Sequence, residues 1–286
     1  MQIKPLTTTT FGTIFQAFSQ AFSDYELQLN ELQLQTMLRR RGFNPDLSFA
    51  AFDGDAIVSF TLNGVGNFNG IPTAYDTGTG TLKEHRGKGL ATEIFEYSIP
   101  YLKEAGVRQY LLEVLQHNTK AISVYQNLGF ETTREFNYFV RKNEEVNLNI
   151  KTAPFPYSIQ QIDVLTFDFI PDFWDFHPSW QNSCESIRRV AGDFVGLGAF
   201  ADRKLVGYCV LEPIAGDITQ IAVDRQHRRE GIATRLLHEA IRLNKNDAIK
   251  ILNTDVTCHS ITNFLKSKNI VVTGKQFEMA KKKIGG

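Results

Sequence analysis

The chain has 286 residues, 31 basic and 31 acidic side chains, 42% hydrophobic and 22% charged content. A net charge of zero leaves no global electrostatic footprint for nucleic acid, and no apolar run nears the roughly 20 residues of a membrane span. The length exceeds the usual domain of about 100–200 residues, so two cores are expected. Three cysteines without a Cys-x-x-Cys pair and six scattered histidines point to a reducing compartment and to no metal site. Met1-Gln2-Ile3-Lys4-Pro5 has no signal-peptide pattern, and a cytoplasmic location is expected.

In chain order, Phe11, Ile14, Phe15, Phe18 and Phe22 recur at helical spacing and predict a helix over 10–23 with a wide apolar stripe. A second helix is predicted over 30–41, ending at Gly42. The run Arg39-Arg40-Arg41 in its last turn reads as cations that favour the helix dipole, with a phosphate site as the alternative. Between these helices, Ser23 and Asp24 read as cap or turn residues; the other reading has Asp24 and Tyr25 bordering an acceptor pocket. From Leu47 the period becomes two. Residues 48–52, a turn at Asp53-Gly54-Asp55 and residues 57–62 predict a hairpin, residues 63–70 a loop rich in Gly and Asn, and residues 74–82 a strand. Glycines within a strand mark where another backbone or a ligand lies alongside.

The stretch His85-Arg86-Gly87-Lys88-Gly89-Leu90-Ala91-Thr92 opens a helix predicted to reach Lys103, with Pro100 predicting a kink or an early break. Two glycines let backbone approach a ligand, and the first helical amides, the helix dipole, Arg86 and Lys88 together suit a phosphate group. Spacing excludes a P-loop, because no glycine precedes Gly-Lys at the required distance, and a dinucleotide fingerprint, because Thr92 stands where a third glycine belongs. Residues 108–115 form a continuous apolar strand fit for a sheet centre. Asn118, a helix over 119–128, Gly129-Phe130 and a strand through Phe139 follow.

Arg86, Gly89 and Ala91 fit Arg-x-x-Gly-x-Ala, which resembles the pyrophosphate-binding motif of the GNAT family of N-acetyltransferases, whose ligand is acetyl-coenzyme A. Leu112-Glu113-Val114, Asn118, Ala121-Ile122, Tyr125 and Leu128-Gly129-Phe130 resemble that family's second signature, and the likeness covers roughly residues 47–140. It implies an α/β (α+β) fold with a mixed sheet, helices on both faces and acetyl-coenzyme A as co-substrate. By the same resemblance, Gly87, Lys88, Gly89, Leu90, Ala91, Thr92 and Asn118 are expected to join Arg86 around the coenzyme, and Thr79, Gly80 and Thr81 to lie along its pantetheine arm.

Residues 149–156 read as a linker, and after it the pattern returns. A hairpin over 196–210 and a strand over 218–223 lead to His227, Arg228, Gly231, Ala233 and Thr234, matching His85, Arg86, Gly89, Ala91 and Thr92. Two tandem GNAT-like domains are expected, at 1–148 and 157–286. The second departs from the pattern: Arg229 and Glu230 replace Gly87 and Lys88, and Cys258, Leu265 and Asn269 stand for Asn118, Tyr125 and Gly129. Weak or absent cofactor binding is expected there. The aromatic run from Phe169 to Trp180 reads as core or domain interface, with a pocket wall as the alternative.

Acetyl transfer to an amine needs a proton acceptor for the ammonium and a proton donor for the departing thiolate. Glu113 stands twelve positions before Tyr125, a spacing that resembles the general-base glutamate and general-acid tyrosine of acetyltransferases acting on ribosomal-protein N-termini; Asp76 is a second base candidate. Beside each stands a structural reading, a paired strand-end carboxylate for Glu113 and a core phenol for Tyr125. Two functions follow: an acetyl-coenzyme A-dependent N-acetyltransferase with an unidentified small-molecule or peptide amine acceptor, or a non-catalytic acyl-coenzyme A sensor or scaffold.

Overall fold

The computed structural model describes residues 1–24, 28–149, 156–282 and 284. The first repeat contains β1 (Gln2–Pro5), α1 (Phe11–Ala21), α2 (Glu31–Arg41), β2 (Phe49–Asp53), β3 (Ala56–Phe68), β4 (Ile71–Thr81), α3 (Leu90–Glu104), β5 (Gln109–Leu115), α4 (Thr119–Asn127) and β6 (Glu131–Lys142). The second contains β7 (Ser158–Ile162), α5 (Cys184–Arg189), β8 (Val195–Ala201), β9 (Lys204–Glu212), β10 (Asp217–Val223), α6 (Ile232–Leu243), β11 (Ala248–Asp255), α7 (His259–Ser267) and β12 (Gly274–Lys282). Tyr25 and the linker residues 150–155 lie outside the described residues.

Local chemistry explains most boundaries. Thr10 caps α1 by accepting from the Thr13 amide, and Asn30 and Gln33 form a capping box on α2, which stops at Gly42 in the left-handed conformation (φ 78°). The expected break at Pro100 is absent: α3 runs through it to Glu104. Pro100 and Glu96, whose carbonyl loses its helical donor to the ring, are both on the exposed face, while buried Phe95 and Leu102 lie on the opposite one.

The expected loop over 63–70 is also absent. β3 continues to Phe68 and turns through Asn69 (φ 53°) and Gly70 (φ 81°) into β4. Gly64 is there for packing: a Cβ on it would overlap the Arg41 carbonyl oxygen. The end of α2 lies directly on β3, with the Val65 amide donating to Gly42 O (2.9 Å) and the Asn44 amide to Asn63 O (2.8 Å). β1, for which the sequence carries no signal, pairs antiparallel with β2 from Gln2↔Phe52 to Pro5↔Phe49.

Contacts divide the chain into two compact units, Met1–Thr133 with Glu278–Gly286, and Arg134–Phe277. This is not the linear division at 148–157, because each repeat gives a strand away. Most of β6 belongs to the second unit, and the C-terminal half of β12 belongs to the first. The strand order is β1-β2-β3-β4-β5-β12 in the first unit and β6-β11-β10-β9-β8-β7 in the second. Both sheets are mixed, with β4–β5 and β10–β11 parallel. In the first unit α1 and α2 bury Ile14, Ala17, Leu34 and Leu38 against Phe60 and Leu62, while α3 lays Leu90 and Ile94 on Phe49 and Val58. In the second, α6 buries Ile232, Leu236 and Leu237 against Leu197, Val206 and Ile249.

Gly64→Ala tests the close approach of α2 to β3. The methyl group meets backbone, which cannot rotate away, so chemical denaturation should report a loss on the order of 1–3 kcal/mol.

Candidate active site

In the first unit β4 and β5 pair only from Thr73↔Gln109 to Tyr75↔Leu111, although β4 runs on to Thr81 and β5 to Leu115. The strands part there. Beyond Tyr75 no strand among the described residues pairs with the β5-facing side of β4, so the main-chain groups there that no side chain takes up are open to a partner. The parting coincides with a β-bulge: Leu62↔Gly78 and Asn63↔Asp76 leave Thr77 as the extra residue of β4.

At this point the structure brings together Asp76, Thr79 and Tyr125. Asp76 Oδ2 accepts from Tyr125 Oη (3.0 Å) and Thr79 Oγ1 (2.7 Å), and its Oδ1 accepts from the Gly78 amide (2.9 Å). Burial pushes the Asp76 carboxyl above its ordinary pKa, against the pull of these hydrogen bonds and of Arg41. Glu113, on β5, is hydrogen-bonded to the buried hydroxyl of Tyr75, whose pKa is raised first by burial and then by the Glu113 charge. Tyr110, also buried, donates to Asn63 Oδ1 and is raised by burial and by Asp76. Arg41 stands over the Tyr75 ring (5.9 Å to its centroid) and donates to Thr77 O (3.1 Å). Tyr75, Tyr110 and Arg41 are site residues that sequence reasoning missed. The signal for Arg41 was present as the last of three arginines, but a helix-end cation is explained by the dipole alone.

The start of α3 has the expected form. Gly87 (φ 78°) and Gly89 (φ 79°) are left-handed, Gly89 is the N-cap with no side-chain cap, and Leu90 is buried. Lys88 is exposed. Arg86 differs from expectation, because its guanidinium is committed to protein. It forms a bidentate pair with Asp24 (2.6 and 2.9 Å) and donates to Ala21 O (2.8 Å) and Thr81 O (3.1 Å), fastening the end of α1 to the end of β4. Asp24 is thus an ion-pair partner and not a cap, and hydrogen bonding to Arg86 lowers its pKa to about 2. Asn118 caps α4, its Oδ1 accepting from the Ala121 amide (3.3 Å). The β4 glycines also have a packing cause: a Cβ on Gly80 would strike Phe60 and Ala21 of α1, and one on Gly78 would crowd Phe18. Thr81 hydrogen-bonds Ser59 (2.8 Å).

The second unit repeats this frame without its titrating groups. Arg228 repeats the clamp, pairing with Asp175 (2.9 and 3.1 Å) and donating to Phe173 O (3.3 Å) and Val223 O (3.2 Å). β10 carries the same bulge at Thr219, and β10 and β11 pair only at Asp217↔Lys250. Ile218 precedes that bulge where Asp76 precedes Thr77. Counted from the α7 cap Cys258, Asn253 and Leu265 stand where Glu113 and Tyr125 stand from Asn118. Arg229 takes the left-handed conformation of Gly87 (φ 69°), and Glu230, in place of Lys88, accepts from Tyr157 and lies 3.5 Å from His227. A cavity of about 790 Å³ opens beside this loop, walled by Trp174, Phe176, Ile218, Ile232 and Phe264. The aromatic run therefore serves both readings: Trp180 is buried in the core, while Phe173, Trp174 and Phe176 line the cavity. Among the described residues no group of three His, Cys, Asp or Glu could hold a metal, and no helix is long and apolar enough to cross a membrane.

Parallel strands that part at a bulge above a left-handed turn and helix start, present twice, define a tandem mixed α/β fold. The chain belongs to the acetyltransferase (GNAT) family, whose model matches residues 12–130 and 158–262. It is 31% identical over 87 residues to N-alpha-acetyltransferase 30 of Schizosaccharomyces pombe, covering 30% of this chain and 58% of that protein. To N-alpha-acetyltransferase MAK3 of Arabidopsis thaliana it is 26% identical over 107 residues, covering 37% and 56%. The chain thus spans little more than half the length of these curated relatives. Over the whole chain its fold is similar to a tandem GNAT protein from the clavulanic acid biosynthesis pathway (TM-score 0.74, 12% identity, 100% and 99% covered). It is also similar to a GNAT protein from Sphaerobacter thermophilus (TM-score 0.73, 14% identity, 100% and 96% covered).

The Asp24–Arg86 pair has a pH signature. With its folded pKa depressed to about 2 from 3.8, Asp24 contributes stability that is present above pH 3.8 and lost as pH falls through about 2. The Asp24→Asn variant should lose less stability than the parent between pH 4 and pH 2 in acid-titrated urea melts. The difference should be small, because the pair is solvent-exposed.

Proposed function

We propose that the chain transfers the acetyl group of acetyl-coenzyme A to an amine and that the first unit carries the reaction. The observation that supports this reading is the parting of β4 and β5 with the Asp76–Tyr125 hydrogen bond at its apex and the uncapped start of α3 at its mouth. Residues 87–92 offer the outward amides and Lys88 the exposed cation for a pyrophosphate; the open side of β4 over 79–81 offers main-chain groups for an amide-bearing arm. Arg86 serves by shaping that loop, its charge being spent on Asp24. When bound, acetyl-coenzyme A supplies an activated acyl group.

The rest is the work of this chain's residues. An amine arrives mostly protonated at neutral pH, and Asp76 and Glu113 are the carboxylates that can take its proton. Tyr125 is the proton donor for the leaving sulfur. Its hydroxyl is held on Asp76 Oδ2, which fixes the ring's direction before a substrate arrives. Amides on the open side of β4 polarise the reacting carbonyl. The second unit has Ile218, Asn253 and Leu265, neither acid nor base, in the corresponding places and does not turn over by this route. For the acceptor, the N-alpha-acetyltransferases among the relatives favour a peptide or protein α-amine.

Incubation with acetyl-coenzyme A and a panel of peptides with free N-termini, read by thiol release, tests this function. Tyr125→Phe should lower kcat on the best peptide by roughly 10²–10⁴-fold while calorimetric acetyl-coenzyme A affinity stays unchanged. Undiminished turnover removes Tyr125 from the mechanism. Binding of acetyl-coenzyme A without turnover of any amine would favour the sensor instead.

A further inference from the structure

Arg41 is a cation that reaches the apex of the first unit's site from outside the two signatures. It is the last residue of α2, and the contact of Gly64 with its carbonyl fixes where its side chain begins. From there the guanidinium crosses the Tyr75 ring and donates through Nη1 to Thr77 O. That oxygen belongs to the Thr77–Gly78 peptide, whose other end, the Gly78 N–H, donates to Asp76 Oδ1. A single peptide plane is therefore held between a guanidinium and a carboxylate. A cation on the carbonyl polarises the peptide and strengthens its N–H as a donor, so the two hydrogen bonds reinforce each other. The second oxygen of Asp76 is left for Thr79 and Tyr125.

We propose that Arg41 is a positioning residue: through the Thr77–Gly78 peptide it fixes Asp76, and through Asp76 it aims the Tyr125 hydroxyl. The guanidinium also offsets part of the cost of a carboxylate in a site lined by phenols. The groups facing Asp76 are Arg41 from α2, Tyr75 on its own strand, Tyr110 and Glu113 from β5, and Tyr125 from α4. Arg41 is the only cation among these five, so its removal moves the Asp76 proton equilibrium toward the acid. The bulge is thereby held open by the neighbouring helix as well as by its own strand pairing. Only the kinetic consequence of this arrangement depends on the acetyl-transfer reading.

The full chain labelled with carboxyl-¹³C aspartate separates the two. The Asp76 resonance, identified by its loss in Asp76→Asn, should titrate at higher pH in Arg41→Met than in the parent. Arg41→Lys should lie between them, and Arg39→Met, which removes an exposed cation from the same helical turn, should leave it in place. With an acceptor peptide, Arg41→Met should lower kcat on the order of 10–100-fold, with little change in the acetyl-coenzyme A KM, and Arg41→Lys should recover part of the loss. If circular dichroism shows Arg41→Met unfolded, Arg41→Lys is read alone, and its Asp76 titration should still lie above the parent's. An Asp76 titration that coincides with the parent's in a folded Arg41 variant overturns the proposal. Absence of turnover by the parent on every peptide overturns the acetyl-transfer reading instead, and the titration then decides Arg41 by itself.

Discussion

Two parallel strands that pair over three residues and then separate govern the first unit. A ladder that stops at Tyr75 and Leu111 while both strands continue leaves polar backbone without a strand partner, and such groups need water or a ligand. The bulge at Thr77 turns β4 at that point and re-aims the residues on either side of it. The position of Asp76, the direction of the Gly78 amide and the reach of Tyr125 all follow from that extra residue.

The two units separate framework from chemistry. Both keep the bulge, the left-handed turn before α3 or α6 and an arginine that ties this turn to an aspartate on a preceding loop. The second unit has the arginine clamp with Ile218, Asn253 and Leu265 in the places of Asp76, Glu113 and Tyr125, so the task of holding two segments together does not depend on those groups. The same comparison explains the tolerated Arg229: a non-glycine residue in the left-handed region costs on the order of 1–3 kcal/mol, and the surrounding clamp over-determines the turn.

What could be read from the sequence was what is written locally. The helix limits near Thr10, Asn30 and Gly42, the turn at Gly54 and the glycine turn before α3 each carry their signal within a few residues, and the structure has them. Glu113 and Tyr125 are candidates because their spacing resembles a known pattern, and Asp76 because it starts the glycine-rich strand, yet the 3.0 Å contact of Asp76 with Tyr125 spans 49 positions and has no local sign. Residues 63–68 misled for a physical reason: Gly64 looks like a loop residue and is one of packing, needed where the end of α2 lies on β3. Arg86 misled in the opposite sense, since nothing near it in sequence announces Asp24. The exchange of β6 and β12 between units was invisible because a strand's own pattern does not say which sheet it joins.

That exchange bears on synthesis. Until translation reaches residue 282 the first unit lacks the strand that lies beside β5, so a nascent chain carries an uncovered edge built from Leu111, Leu112 and Val114. Edges of that kind recruit other chains. A fragment cut at the linker inherits the same exposed edge permanently. The half of the protein that looks self-sufficient in sequence is thus finished last, by the far end of its twin.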